Sequence, residues 1–327
     1  MIISRTPLRV SLFGGGSDLP AYYRRHGGAV LSATIDKSVY VTVSRKFDEA
    51  VRVSYSRTEE VARAKDVEHP LVREALGLLG IEGGIEITSV ADIPARGTGL
   101  GSSSSFTVGL LNALHAYQGR HAAADRLAQE ACQIEIERCR APIGKQDQYA
   151  AAFGGLNLIR FHADERVEVT RVICPPQTLA ELQQRQLFFY TGTTRSASTL
   201  LAEQSANLEA PGAVVSATRE LTCLAERAFA VLCAGEVEPL GPMLHEAWRL
   251  KRGLASGVSN AAIDEAYDAA LAAGAEGGKL LGAGGGGFLM FLAPPERHAA
   301  IRAALGALRE TPFAFAGHGS RIVFVHE

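Results

Sequence analysis

Apolar and polar positions change period along the chain, and the changes mark out its elements. Short apolar runs predict strands at Ile2 to Ser4, Leu8 to Phe13, Ala29 to Ile35, Val39 to Ser44 and Val51 to Tyr55. Among them, Asp18 to His26 predicts a short helix stopped by Gly27 and Gly28. A helix near His69 to Leu79 follows. Ile85 to Val90 then alternates with period two, as a half-buried strand does, while Phe106, Leu110, Leu114 and Tyr117 recur at helical spacing. Helices are expected over Ser103 to Gln118, Ala122 to Arg138 and Lys145 to Ala152, with strands near Gly155 to Phe161 and Val167 to Val172.

The second half reads as a strand at Gln186 to Tyr190, alanine-rich helices between Arg195 and Ala272, strands at Gly278 to Leu281 and Phe288 to Leu292, a helix over Glu296 to Leu308 and two terminal strands. Strands mixed with runs of helices predict α+β layers rather than a doubly wound parallel sheet. A chain of 327 residues is long enough for two domains, and Pro175-Pro176 is the best boundary, giving 1–175 and 176–327.

Composition narrows the function classes. The 33 Lys and Arg are dispersed and balanced by 35 Asp and Glu, which argues against nucleic acid as a partner. Five cysteines without a C-x-x-C pair, and nine histidines without a clustered motif, argue against a disulfide framework and a zinc site. The N-terminus lacks a basic segment followed by an apolar core, and no apolar run approaches about 18 residues. The expectation is a cytoplasmic protein with small-molecule substrates and no membrane partner.

Candidate chemistry concentrates in Pro94-Ala-Arg-Gly97-Thr-Gly99-Leu100-Gly101-Ser-Ser-Ser-Ser105, which an apolar strand enters and a helix pattern leaves. Glycines here keep Cβ atoms away, so that main-chain N–H groups can converge on a phosphate where a helix begins. Gly97, Gly99, Leu100, Gly101, Ser102, Ser103 and Ser104 are therefore the expected nucleotide-phosphate contacts. No Walker string occurs. A dinucleotide fingerprint at Gly282, Gly284 and Gly287 is followed by the strand-like Phe288 to Leu292 rather than a helix, so its required context fails.

Two further glycine motifs flank this one: Arg5-Thr-Pro-Leu-Arg9-Val-Ser-Leu-Phe-Gly14-Gly15-Gly16-Ser-Asp18 and Lys279-Leu-Leu-Gly282-Ala-Gly284-Gly285-Gly-Gly287. In this order, from residue 5 to residue 288, the three resemble the signature motifs of the GHMP kinases. The resemblance implies a ribosomal-protein S5-like N-terminal domain, a ferredoxin-like C-terminal domain, an active site between them, and ATP and Mg²⁺. Gly-Gly-Gly followed by Ser-Asp, together with Pro142-Ile-Gly-Lys-Gln-Asp147, looks like the branch acting on D-glycero-D-manno-heptose 7-phosphate, whose anomeric phosphorylation feeds nucleotide-activated heptose synthesis.

Site residues follow from the same resemblance. Asp147 matches the general base and Arg9 the basic residue near the reacting hydroxyl. Glu135, twelve residues before Asp147, matches the magnesium carboxylate and lies nearer than Glu137 to the centre of the stripe Leu127, Ala131, Ile134 and Arg138. Ser103 matches the metal-binding serine, with Ser102 or Ser104 able to substitute. Asp18 would accept bonds from sugar hydroxyls, or cap the helix that follows. Gly14, Gly15 and Gly16 would let main chain approach the sugar, and Gly284 and Gly285 would face the substrate from a tight turn. A phosphate on the substrate calls for a cation, and Lys145 and Arg195 are the candidates. A kinase for fucose or galactose, or a non-catalytic ligand-binding descendant, are the competing readings.

Overall fold

Two long strands organise the first half of the chain, within a computed structural model that describes residues 1–93, 97–193 and 197–326. β1 (Ile2–Phe13) runs unbroken where the sequence suggests two strands, because Pro7, which has no N–H to give a ladder, stands at an irregularity in the register rather than at a strand end. After α1 (Pro20–His26) comes β2 (Gly28–Arg45), which likewise joins two expected strands into one.

β3 (Val51–Ser54), β4 (Thr58–Val61), α2 (Pro70–Leu79), β5 (Ile85–Ala91), α3 (Ser102–Tyr117), α4 (Ala124–Cys132), α5 (Gln146–Phe153), β6 (Leu156–Phe161) and β7 (Val167–Arg171) complete this half. β4 has no apolar alternation in Thr-Glu-Glu-Val; pairing with β3 makes it a strand. The second half supplies α6 (Pro176–Gln184), β8 (Gln186–Tyr190), α7 (Ala197–Asn207), α8 (Ala213–Cys233), α9 (Leu240–Arg252), α10 (Ala261–Ala272), β9 (Gly277–Leu280), β10 (Phe288–Leu292), α11 (His298–Ala304), β11 (Arg309–Glu310) and β12 (Arg321–Val325). The helix expected over Glu296 to Leu308 is shorter, entered through a single tight turn at Pro295–Arg297.

The first sheet has eight strands in the order β12-β1-β2-β5-β3-β4, with β6 and β7 attached to the first half of β2. Among the described residues only β3 and β5 pair in parallel. The second sheet, β11-β8-β10-β9, is antiparallel throughout. This is the α+β arrangement the patterning predicts. The last strand leaves the second half of the chain to pair with β1.

One apolar core, including Leu8, Val41, Leu110 and Leu114, lies between the first sheet and α3 and continues to Leu224 and Ala228 of α8. A second core, with Phe189, Phe291 and Trp248, fills the space between the smaller sheet and its helices. Burying aliphatic and aromatic side chains of this size contributes roughly 1.5–3 kcal/mol each. All five cysteines are free thiols.

Candidate active site

A cleft of about 650 Å³ opens where the three glycine motifs meet. Gly97, Gly99 and Gly101 have φ of +72°, +77° and +74°, left-handed values that residues with a Cβ resist, and Gly101 is the N-cap of α3. The loop is locked in place because the Arg9 N–H donates to the carbonyl of buried Leu100 at 3.0 Å. Beyond it, Ser102 carries a buried hydroxyl with no hydrogen-bond partner among the described residues, at the positive end of α3.

The third motif closes directly on this loop. A Cβ on Gly99 would fall 2.4 Å from the Leu281 carbonyl oxygen, one on Gly282 would fall 2.4 Å from the Gly99 Cα, and one on Gly287 would fall 2.6 Å from the Thr98 oxygen. Gly284 lines the cleft, whereas the Gly285 N–H is taken up by the Val258 carbonyl, so the structure does not bring Gly285 to the cavity.

Arg9 and Asp147 form a two-pronged ion pair on the cleft floor. Nε and Nη2 of Arg9 each donate to one oxygen of Asp147 at 2.7 Å, and Nη1 donates to the Gly99 carbonyl at 2.6 Å. Arg9 is buried on β1, while Asp147, in the first turn of α5, retains 23% exposure toward the cavity. A bidentate guanidinium fixes the carboxylate plane and adds geometric specificity to its charge. The arrangement suits a carboxylate that must accept a proton from a neutral hydroxyl.

Glu135 sits on a wide-pitched turn. The expected helix over Ala122 to Arg138 ends its regular portion at Cys132 and continues to Arg138 as a π-helical segment, closed by the Cys139 N–H on the Ile134 carbonyl. There Glu135 is 2% exposed, while Glu137 is exposed to solvent. Ser103 and Ser104 hydroxyls donate to Glu135 at 2.9 and 2.7 Å, and Gln148 Nε2 donates at 2.6 Å. Burial nevertheless raises its pKa, the three hydrogen bonds opposing the rise and the Asp147 charge adding to it. A desolvated carboxylate beside a serine hydroxyl is a donor set that fits Mg²⁺. Among the described residues no group of three or more His, Cys, Asp or Glu could hold a metal, so such an ion would lean on nucleotide phosphates, as magnesium commonly does.

The opposite end of the cleft is polar without being strongly charged. Asp18 is buried and accepts bonds from the Gly16 N–H, the Gln146 N–H and Gln146 Nε2 at 3.1, 3.3 and 3.1 Å. It does not cap α1, whose N-cap is Leu19. Gly144 admits it, since a Cβ there would fall 2.0 Å from Asp18 Oδ2. Burial, then the Asp147 charge, raises the Asp18 pKa. Ser11 Oγ, Gln146 Oε1 and Gln204 Nε2 are buried atoms of cleft residues with no hydrogen-bond partner among the described residues. Gly15 and Gly16 line this end; Gly14 instead makes a close crossing, where a Cβ would fall 1.9 Å from the Ala29 oxygen.

Lys145 is not brought to the cavity. Its ammonium pairs with Glu165 and lies 4.8 Å from the centre of the Tyr23 ring, on the far side of the turn that begins α5. Burial works against ionising Glu165, but hydrogen bonds from Lys145, Tyr23 and Arg24 outweigh it and bring its pKa to about 2. Lys145 thus has its anion already. Arg195, the other expected cation, lies outside the described residues.

Four residues escape a reading of sequence alone. Gln148, Gln204, Lys251 and Lys279 carry no motif that separates them from surface polar residues. Gln148 faces Glu135, and Gln204 and Lys251 line the cleft. Lys279, 3% exposed, ties the small sheet to β1 by donating to the Ser11 and Leu12 carbonyls at 2.8 and 3.0 Å.

Comparison with known proteins agrees with this geometry. Residues 60–155 match the GHMP kinases N terminal domain and residues 228–310 match GHMP kinases C terminal. A D-glycero-alpha-D-manno-heptose 7-phosphate kinase of Campylobacter jejuni is 28% identical over 317 residues, covering 90% of each chain. A bifunctional fucokinase/GDP-fucose pyrophosphorylase of Arabidopsis thaliana is 27% identical over 311 residues, covering 88% of this chain and 29% of the relative. The crystal structure of a D-glycero-D-manno-heptose 1-phosphate kinase from Bacteroides thetaiotaomicron superposes with a TM-score of 0.82 at 26% identity, covering 100% of both chains. No helix among the described residues is long and apolar enough to cross a membrane. With both domain matches, the heptose-kinase likeness and a glycine-walled cleft that joins all three motifs, the chain belongs to the GHMP kinases, a family that uses ATP as phosphate donor.

Proposed function

We propose that the protein transfers the terminal phosphoryl group of ATP to the anomeric hydroxyl of D-glycero-D-manno-heptose 7-phosphate, giving the 1,7-bisphosphate and ADP. The observation that carries the phosphoryl-transfer reading is the cleft itself, where a phosphate cradle at the head of α3 faces a carboxylate oriented by Arg9. Asp147 accepts the hydroxyl proton. The freed oxygen bonds to the terminal phosphorus, and the bond from that phosphorus to the bridging oxygen breaks, with the electron pair leaving on ADP. Arg9 steadies the charge on both sides of the step, and losing such a base typically costs about 10²–10⁴ in rate.

Ser103 and Glu135 would hold magnesium, which when bound neutralises phosphate charge and screens the developing negative oxygens. The polyol end of the cleft supports a sugar: Asp18, Ser11, Gln146 and Gln204 offer both acceptors and donors, and the Gly16 N–H holds Asp18 in place. The heptose assignment leans on the likeness to the Campylobacter jejuni relative and on the Gly14-Gly15-Gly16 and Pro142 to Asp147 segments. The two heptose-kinase relatives carry names that differ in the position of the phosphate, at carbon 7 in one and carbon 1 in the other.

A kinase for an unphosphorylated sugar such as fucose or galactose is the second reading. It is favoured by the engagement of Lys145 with Glu165, which removes one cation from the list available to a sugar phosphate. Assaying ATP consumption against heptose 7-phosphate, heptose 1-phosphate, fucose and galactose, with phosphorus NMR of the product, decides between them. New anomeric phosphate on heptose 7-phosphate is the expected result. Turnover confined to fucose, galactose or heptose 1-phosphate would overturn the assignment.

A further inference from the structure

Among the described residues, one cation that lines the cleft has no anion paired with it. Lys251, in the last turn of α9, is 8% exposed and lines the cavity, yet its ammonium is held by main-chain oxygens, those of Gly282 at 2.5 Å and Leu280 at 3.4 Å, rather than by a carboxylate. An ammonium has three N–H donors, so these two bonds leave a third to be met. Burying an ammonium without a counter-charge is costly, and such a group persists where it has work to do or a ligand to meet.

Its position says which ligand. Gly282, whose carbonyl anchors the ammonium, is the residue that abuts Gly99 of the phosphate cradle. The Gly99 carbonyl in turn accepts from Arg9, which holds Asp147. Lys251 is therefore separated from the cradle by Gly282 alone, and from the proton acceptor by Gly282, Gly99 and Arg9 in turn. We propose that Lys251 is a further substrate-binding residue, donating its remaining N–H to a phosphoryl oxygen at the junction of the two substrates.

That oxygen has two sources: the transferred phosphoryl group of ATP, or a phosphate already on the acceptor. The chemistry is shared, a compact cation against a phosphoryl anion. Charge in the neighbourhood agrees with either. Burial, followed by the charge of Arg9, lowers the Lys251 pKa to about 8, and Asp18 raises it only from beyond ion-pair distance. Lys279, packed behind, is likewise held by carbonyls. The inference rests on the proposed function only in taking the cleft as a phosphoryl-transfer site; it does not depend on which sugar is used.

Calorimetric titration of the purified protein with ADP, with the non-hydrolysable analogue AMP-PNP, and with inorganic phosphate added to the ADP complex, each in the presence of Mg²⁺, separates the sources. For Lys251→Met, loss of about 10–100-fold in AMP-PNP affinity with ADP unchanged assigns the transferred group. A loss confined to inorganic phosphate assigns the phosphate of the acceptor. Lys251→Arg should keep the melting temperature of the unliganded protein and recover part of the lost affinity. The proposal is overturned when Lys251→Met binds AMP-PNP and phosphate as the wild type does, or when both variants lose ADP, AMP-PNP and thermal stability together, which marks a purely structural lysine. A wild type that ignores heptose 7-phosphate while these nucleotide differences persist would instead count against the sugar assignment alone.

Discussion

Gly282 and Gly99, nearly two hundred residues apart, touch main chain to main chain: a Cβ on Gly282 would fall 2.4 Å from the Gly99 Cα. Both have positive φ, +74° and +77°. Replacing Gly282 by Ala adds a left-handed alanine, at roughly 1–2 kcal/mol, to an overpacking term of about 1–3 kcal/mol. Thermal melting should fall accordingly and activity should fall with it. Gly80→Ala is the control, since its φ is +66° but a Cβ there would meet nothing within 4 Å. It should lose only the conformational part.

Asp147→Asn keeps the shape of the side chain and removes its basicity. The expected result is a kcat lower by about 10²–10⁴ with the acceptor KM little altered, read by initial rates, because the step lost is proton acceptance rather than binding. A rise in KM alone, with kcat unchanged, would place Asp147 in recognition instead.

Glu135→Gln should trade activity for stability. Burial raises the Glu135 pKa, so the folded state pays for the charge at any pH above that raised value and is relieved of it below the ordinary carboxylate range. A glutamine oxygen can still accept from Ser104 and Gln148, while its amide donates to Ser103. Without nucleotide or metal, the variant is expected to melt above the wild type near neutral pH, with the gain shrinking as pH falls through the carboxylate range. Its Mg²⁺ requirement should rise sharply in a rate assay.

The Lys251 ammonium is charged below about pH 8 and loses its proton as pH rises through that value. Groups facing it are Arg9 on β1, Asp18 before α1 and Lys279 on β9. If it grips a phosphoryl oxygen, kcat/KM should decline on the alkaline side of about 8, and Lys251→Arg should move that decline upward because a guanidinium stays protonated. An unchanged alkaline limb in the arginine variant would assign the decline to another group.

Lys145→Met should leave the acceptor KM nearly unchanged, since the side chain is occupied by Glu165 and faces away from the cleft. The stability change should stay within about 1 kcal/mol, as expected for a partly exposed ion pair. Steady-state kinetics and a denaturant melt measure both.

Periodicity and spacing along the chain determined most of the local structure and the position of the phosphate loop. Alternation marked β5, the spacing of Phe106, Leu110 and Leu114 marked α3, and strand, glycine loop and helix in sequence marked an anion cradle, because each of these is a property of neighbouring residues. Tertiary structure decided where strands end and which charges meet. β1 and β2 run on through apparent breaks because their ladder partners continue, and β4 is a strand only because β3 lies beside it. Asp147 was visible as a residue, but its Arg9 clamp spans 138 positions. Lys251, Gln204 and Gln148 look like surface side chains in one dimension, and Lys145 looks like a free cation. Burial, and the pairing of charges distant in sequence, are properties of the packed chain, so only the fold could assign Lys145 to Glu165 and leave Lys251 facing the cleft without an anion among the described residues.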